Sequence, residues 1–356
     1  MNPFDPLWLS ETLAAGGRIG PSDRIVAVEA TRIGEGSGIG ADLHRLTLTL
    51  DDSTCFTVVA KLPMSGPLRP LAEATGIYDR ELLFYCDLAA RCPLPAPRAF
   101  FAGRAEQSTD FALLLEDLAA NPQLTAADQV SGLDSGRLAA LVPTLAGFHA
   151  WSAGAGADLE AVIQGLPMLS EIVAPIAGLV PTGWAKYLEV SGAAAPPEAD
   201  RLAREYPALV AAMAAALDEQ ATLVHGDFRA DNFFFHRDGS VVVIDFQMIS
   251  RAHPVVDLAY LLSQSLRHPL DRDDQRALVD RYCGAARRAG SAGVDPDEVW
   301  LRYRIAVAWY LFIPALAMMT WDVANERGRA MNLTLMERAV TAIGSVGAIE
   351  AVTTFG

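Results

Sequence analysis

Two short apolar stretches, residues 222–224 and 241–244, interrupt a part of the chain that otherwise reads as helix, and between them lies the polar run His225-Gly-Asp-Phe-Arg-Ala-Asp-Asn232. Strand-like insertions of this kind are out of place in an all-helical domain. A loop so rich in hydrogen-bonding groups must be held there for a reason, because buried polar groups cost free energy unless they are partnered. The spacing predicts a hairpin-like insert presenting its loop to a site.

The rest of the chain divides around this insert. Before it, residues 25–31, 46–50 and 55–61 are β-branched or alternate with period two, with turns at Gly34–Gly40 and Asp51-Asp52-Ser53, and predict an antiparallel meander. A helix is expected over about 71–91, ended by the proline cluster at 93–97, and a buried strand over 111–115. After about residue 122 the pattern is helical, with helices expected near 135–153, 200–218, 255–267, 273–289, 297–325 and 331–350. The expected organisation is a β-rich lobe over 1–115, a connector over 116–122 and a helical lobe over 123–356. That makes the fold α+β and bilobal, with the site at a crevice.

Composition excludes several functions. The 356 residues carry 28 Lys+Arg against 43 Asp+Glu, a net charge of −15. Neither nucleic acid nor an anionic membrane is an expected partner for so acidic a chain. The longest apolar run, 305–319, contains Pro314 and falls short of the 18 or more residues taken to span a membrane. The scattered cysteines Cys55, Cys86, Cys92 and Cys283 fit neither a disulfide framework nor a zinc site. With no basic-then-apolar start, they point to a cytoplasmic protein. No protein partner is evident.

The chemistry-bearing residues follow a spacing. Asp227 is followed five positions later by Asn232, and Asp245 comes at the end of the second apolar stretch, ahead of Phe246. One carboxylate to meet an attacking hydroxyl, with a side-chain carbonyl and a second carboxylate as hard oxygen ligands for Mg²⁺, is what phosphoryl transfer needs. Asp227 is therefore the candidate catalytic residue, and Asn232 and Asp245 the candidate metal ligands. His225 and His149 read as structural, and Asp231 as solvated or loop-fixing.

These segments resemble the aminoglycoside-phosphotransferase and choline-kinase superfamily, which has a protein-kinase-like fold. More narrowly they are similar to its ecdysteroid-kinase-like (CHK-type) branch. Supporting stretches are Tyr78-Asp-Arg-Glu-Leu-Leu-Phe-Tyr85, Leu145-Ala-Gly-Phe-His-Ala150 and Asp257-Leu-Ala-Tyr-Leu-Leu-Ser-Gln264. The resemblance implies an ATP-dependent kinase that phosphorylates a hydroxyl of a small molecule, with ATP and Mg²⁺. The branch leans towards an apolar alcohol. Alternatives are an aminoglycoside or macrolide phosphotransferase, or a nucleotide-binding pseudokinase.

The resemblance also assigns the first lobe. Lys61, one of two lysines in the chain, ends an apolar strand, and Glu81 lies twenty residues on. In kinase-like folds such a pair holds the nucleotide phosphates. Gly36, Ser37 and Gly38 of the glycine-rich turn are candidates to cradle phosphate through main-chain N–H groups. Main-chain groups of Glu116 and Leu118 are expected to meet adenine, and Arg229 to reach the transferring phosphate. Asp257 is expected to brace the loop through its backbone. Gln247 stands where protein kinases have the glycine of D-F-G, which argues against an activation-loop flip and a protein substrate. The aromatic stretch 306–321 is expected either as core or as the wall of an acceptor pocket.

Overall fold

The computed structural model describes residues 2–34, 40–66, 69–104, 110–192 and 194–355. The chain forms two compact units, one of Met1–Arg91, Pro95–Ala126 and Phe234–Gln247, the other of Cys92–Leu94, Ala127–Phe233 and Met248–Gly356. The fold is α+β and kinase-like.

In chain order the first elements are α1 (Pro6–Ala15), β1 (Ile25–Ile33), β2 (Ala41–Leu50), β3 (Cys55–Pro63), α2 (Arg69–Ala74), α3 (Ile77–Leu83), β4 (Ala99–Arg104), β5 (Phe111–Glu116) and β6 (Leu124–Ala126). The helical part begins with α4 (Ser135–Ala153), α5 (Ala157–Gln164), α6 (Leu169–Val173), α7 (Val180–Ser191) and α8 (Pro197–Asp218). Strands β7 (Thr222–Val224), β8 (Phe233–His236), β9 (Val241–Val243) and β10 (Ser250–Ala252) come next. The chain ends with α9 (Val255–Gln264), α10 (Arg272–Arg288), α11 (Pro296–Trp309), α12 (Phe312–Met318), α13 (Glu326–Val346) and α14 (Ala348–Phe355).

The first unit is built on a five-stranded sheet of order β1-β2-β3-β5-β4, its neighbours all antiparallel. The period-two alternation of β2 turns Leu46, Leu48 and Leu50 inward, where they pack with Val58 and Ala60 of β3, Leu114 of β5 and Leu9 and Leu13 of α1. Helix α1 was not anticipated. Asp5 caps it by accepting from Leu7 N–H, and Pro6 occupies its first turn, a start signal that the short sequence context hides.

The single helix expected over 71–91 is broken. Gly76 has φ +68°, which no residue inside an α-helix adopts, so the chain forms α2, then α3, then a π-helical turn over Phe84–Leu88. The expected hairpin is also corrected: β7 pairs with β10, while β9 neighbours β8 in a separate sheet with β6. Both strands are present, but β7 finds its partner outside the insert, in β10, while β9 lies beside β8, a strand within the insert that was not anticipated.

In the second unit every residue of α9 is buried, so it serves as the central helix. Helices α5, α6 and α7 were not anticipated. The helix expected over 297–325 divides into α11 and α12, and the one over 331–350 into α13 and α14 at Gly347, whose φ is +62°. Contrary to the sequence expectation, the Pro296–Met318 stretch of 23 residues is long and apolar enough to cross a membrane, but 72% of its most apolar window is buried inside the protein. The stretch 306–312 is core: Trp309 and Tyr310 are 1% and 0% exposed, and Tyr206 donates to the Trp309 carbonyl at 2.6 Å.

One buried group gives the unit a pH dependence. His253 is held neutral by burial and by the charges of Arg302 and His149, which bring its pKa from 6.5 down to about 3. Between those values the unfolded chain binds the extra proton, so stability is lost as pH falls below about 6.5. Wild-type urea midpoints should therefore fall more steeply between about pH 7 and pH 5 than those of His253→Phe. Parallel pH profiles for the two proteins would contradict this origin.

Candidate active site

In the first unit Lys61 sits on β3 beside Leu43 of β2 and Leu113 of β5, where sheet pairing carries its side chain into the interior. Its Nζ donates to Glu81 Oε1 at 2.8 Å, lies 2.6 Å from Oε2, and donates to Asp245 Oδ1 at 2.8 Å. The Lys61 and Glu81 side chains are 7% and 1% exposed, and that of Asp245 is 21% exposed. Burial opposes the lysine charge, but Asp245 and Glu81 outweigh it and raise its pKa above the ordinary range. Burial raises the Glu81 pKa, with Lys61 pulling the other way.

The segment carrying Asp245 is fixed from several sides. Phe246 stacks on Phe84 at 3.5 Å, and Arg80 Nε donates to the Gln247 carbonyl at 3.0 Å. Asp245 itself has φ +67°. Aspartate tolerates this left-handed conformation better than most residues, and such strain concentrates at functional positions.

A cavity of about 170 Å³ opens beside the triad, with Leu43, Val59, Leu115, Leu118, Phe234 and Ile244 among its walls. Glu116 and Leu118 border it as well. The Glu116 N–H is already committed to the Arg98 carbonyl at 2.9 Å. The sequence reading missed Arg45 and Asp117, which also line this cavity and form a two-bond pair at 2.7 and 3.2 Å. Burial opposes the Asp117 charge, but hydrogen bonds from Arg45 and Thr57 hold the carboxyl below its usual range. Arg45 and Asp117 are 72 positions apart, so no local pattern signals the pair. Gly36, Ser37 and Gly38 lie outside the described residues.

In the second unit Asp227 and Asn232 come together. Asp227 Oδ1 accepts from Arg229 Nε at 3.0 Å, and Oδ2 accepts from Asn232 Nδ2 at 2.9 Å. Asn232 Nδ2 also donates to the Asp227 carbonyl at 2.8 Å. The five-residue spacing thus closes the loop on itself, and the Asn232 side-chain carbonyl is a hard oxygen that could hold a cation. Arg229 is 8% exposed, so it is no surface residue, and it also pairs with Asp231 at 3.3 Å. The Asp231 side chain, 7% exposed, fixes the loop by accepting from Gln129 N–H at 2.7 Å and is not solvated.

Asp257 braces the loop from behind. Its Oδ2 accepts the His225 N–H at 2.7 Å and its Oδ1 the Gly226 N–H at 2.8 Å. His149 contacts Asp257 Oδ2 through Nε2 at 3.1 Å and Tyr282 Oη through Nδ1 at 2.7 Å, so it is a satisfied buried histidine. His225 Nδ1 accepts the Asp227 N–H at 3.2 Å, a structural role. Gly226 has φ +78°, and a Cβ there would sit 2.3 Å from the Met248 carbonyl. Tyr310 donates to the Gly226 carbonyl at 3.3 Å and stacks on Tyr260 with ring centroids 4.4 Å apart. Burial and the Asp227 charge together push the Tyr260 phenol pKa well up.

Residues 39–296 match the phosphotransferase enzyme family, and the chain belongs to it. Among solved structures it resembles a choline kinase from Cryptosporidium parvum, with a TM-score of 0.56 at 10% identity over 92% of this chain and 93% of that one. A choline/ethanolamine kinase family protein from Mesorhizobium loti gives a TM-score of 0.53 at 13% identity, covering 98% of each chain. The GDP complex of an aminoglycoside 2'-phosphotransferase IIIa mutant gives 0.53 at 15%, covering 94% of this chain and 97% of that one. A curated relative, acyl-CoA dehydrogenase family member 11 of Gallus gallus, is 44% identical over 45 residues, which is 12% of this chain and only 6% of that protein.

Asp257→Ala should leave the His225 and Gly226 N–H groups and His149 without their acceptor. At about 1–3 kcal/mol for each buried orphan, the expected loss is about 3 kcal/mol or more, read from urea unfolding. A loss under about 0.5 kcal/mol would show that the brace contributes nothing.

Proposed function

We propose that the chain is an ATP-dependent kinase that transfers the γ-phosphate to the hydroxyl of a small, apolar alcohol, with Mg²⁺. The observation that carries this reading is the Asp227 carboxylate, with each oxygen held by its own donor in a loop fixed by Asp257. Such a group is oriented before substrate arrives. In the reaction the acceptor oxygen bonds to the γ-phosphorus, the bond to the β-phosphate oxygen breaks, ADP leaves, and Asp227 takes the hydroxyl proton.

The other residues position and neutralise charge. Lys61, oriented by Glu81, meets the nucleotide phosphates as a compact cation. The Glu116 carbonyl and Leu118 N–H face adenine, and Arg229 turns from Asp227 and Asp231 towards the transferring phosphate. The Asp245 carboxylate and the Asn232 carbonyl suit Mg²⁺, which takes one or two protein oxygens and completes its shell with phosphates and water. Among the described residues no group of three or more His, Cys, Asp or Glu forms a cage for a metal. When bound, the ion supplies neutralisation of the phosphate charge. Catalysis is then mostly positioning and electrostatics. The apolar acceptor rests on the resemblance to the ecdysteroid-kinase-like branch, and a cytoplasmic location on the reduced cysteines.

The test is ADP release with Mg·ATP against steroids, terpenoid alcohols, aminoglycosides, macrolides and amino alcohols. Asp227→Ala should lower acceptor-dependent turnover by about 10²–10⁴-fold while still binding Mg·ATP. Near-normal turnover by this variant would overturn the assignment of Asp227. Turnover confined to the antibiotics would overturn the apolar-alcohol reading.

A further inference from the structure

The helical unit contains a second cavity, of about 420 Å³, walled by α4, α10 and the start of α11 and rimmed by residues 291–295. Its size is that of a small-molecule site. None of its lining residues belongs to the groups assigned to phosphate transfer. Its chemistry specifies what fits.

His253, 3% exposed, is part of the wall. Its Nδ1 accepts the Val255 N–H at 3.2 Å, which places the proton of the neutral ring on Nε2. Among the described residues no acceptor takes that proton. Burial, Arg302 and His149 keep the ring neutral, so it stays a donor at physiological pH.

The charged groups of the wall are already engaged. Glu298 accepts from Arg302 at 2.5 Å, and Asp295 caps α11 by accepting the Asp297 N–H at 3.0 Å. Both His149 nitrogens are taken, Nδ1 by Tyr282 and Nε2 by Asp257. The remaining walls include Ala153, Ala221, Ala286 and Val299. The Asp295 and Glu298 carboxylates would repel an anion and an ammonium offers His253 no acceptor, whereas a neutral guest with an acceptor oxygen would satisfy His253 and bury apolar surface elsewhere.

The wall is also wired to the phosphate-transfer loop. His149 lines the cavity and holds Asp257, and Asp257 in turn holds the N–H groups of His225 and Gly226, the residues directly before Asp227. We propose that this cavity is an effector site for a small, neutral, largely apolar molecule bearing a carbonyl or ether oxygen, and that its occupancy is felt at residues 225–227 through His149 and Asp257. The proposal does not depend on the identity of the acceptor or the nucleotide.

The probes are three rigid molecules of the same bulk: adamantanone, adamantylammonium and adamantanecarboxylate. Binding is read from the melting temperature, and the loop from hydrogen–deuterium exchange of peptides covering 223–229, so neither readout needs the enzyme to turn over. Adamantanone is expected to raise the melting temperature with concentration and to slow exchange at His225 and Gly226, while the two ions do neither. His253→Phe should weaken adamantanone binding about tenfold, the worth of one buried hydrogen bond. Ala292→Trp, on the exposed rim where folding is not at risk, should abolish binding. Equal binding by Ala292→Trp, tighter binding of either ion, no binding of adamantanone, or binding without a change at 225–226 would each overturn the proposal.

Discussion

A lysine ammonium buried between two carboxylates is the interaction on which the sheet unit depends. Lys61 Nζ reaches both Glu81 and Asp245 at 2.8 Å. Buried ion pairs contribute little to stability relative to apolar packing, because desolvation offsets their attraction, yet removing one partner is costly. A triad of this kind is a poor way to hold a domain together, and its value lies in fixing three groups relative to one another. The sheet places Lys61, the helix after Gly76 places Glu81, and the stack of Phe246 on Phe84 places Asp245. The left-handed backbone at Asp245 fits the same account, since a strained residue persists only where its surroundings over-determine it.

The helical unit solves the matching problem with hydrogen bonds. The fully buried Asp257 accepts two backbone N–H groups and is partnered by His149. The loop it holds then closes on itself, with Asn232 and Arg229 each taking one oxygen of Asp227. A carboxylate fixed in this way loses little entropy when it meets a hydroxyl, which is the economy that positioning catalysis relies on. The cavity behind His149 puts a guest one residue away from that brace.

Much of this was legible in the sequence where local pattern carries the information. The alternation at 46–50, the buried run at 111–115 and the loop from His225 to Asn232 all read correctly, because side-chain period and spacing are local properties. The partnership of β7 with β10 did not, since two three-residue strands say nothing about which edge they join. The break at Gly76 was missed because the helical spacing of Ile77, Tyr78, Leu82, Tyr85 and Leu88 lies wholly after it and says nothing of where the helix begins, whereas the positive φ marks the interruption. The burial of Arg229 against Asp227 and Asp231 was likewise not legible, because a single arginine in a loop carries no pattern that marks it as buried. The Arg45–Asp117 pair, 72 residues apart, lies beyond any local pattern.

The central claim is that the buried triad is a nucleotide-phosphate site. Calorimetric titration of Mg·ATP into the wild type and Lys61→Met tests it most directly, with the folded state of each checked by its unfolding midpoint. The account predicts saturable binding by the wild type and at least about tenfold weaker binding by the folded variant, the loss of one charge-assisted contact. Equal affinity in the two proteins would contradict it.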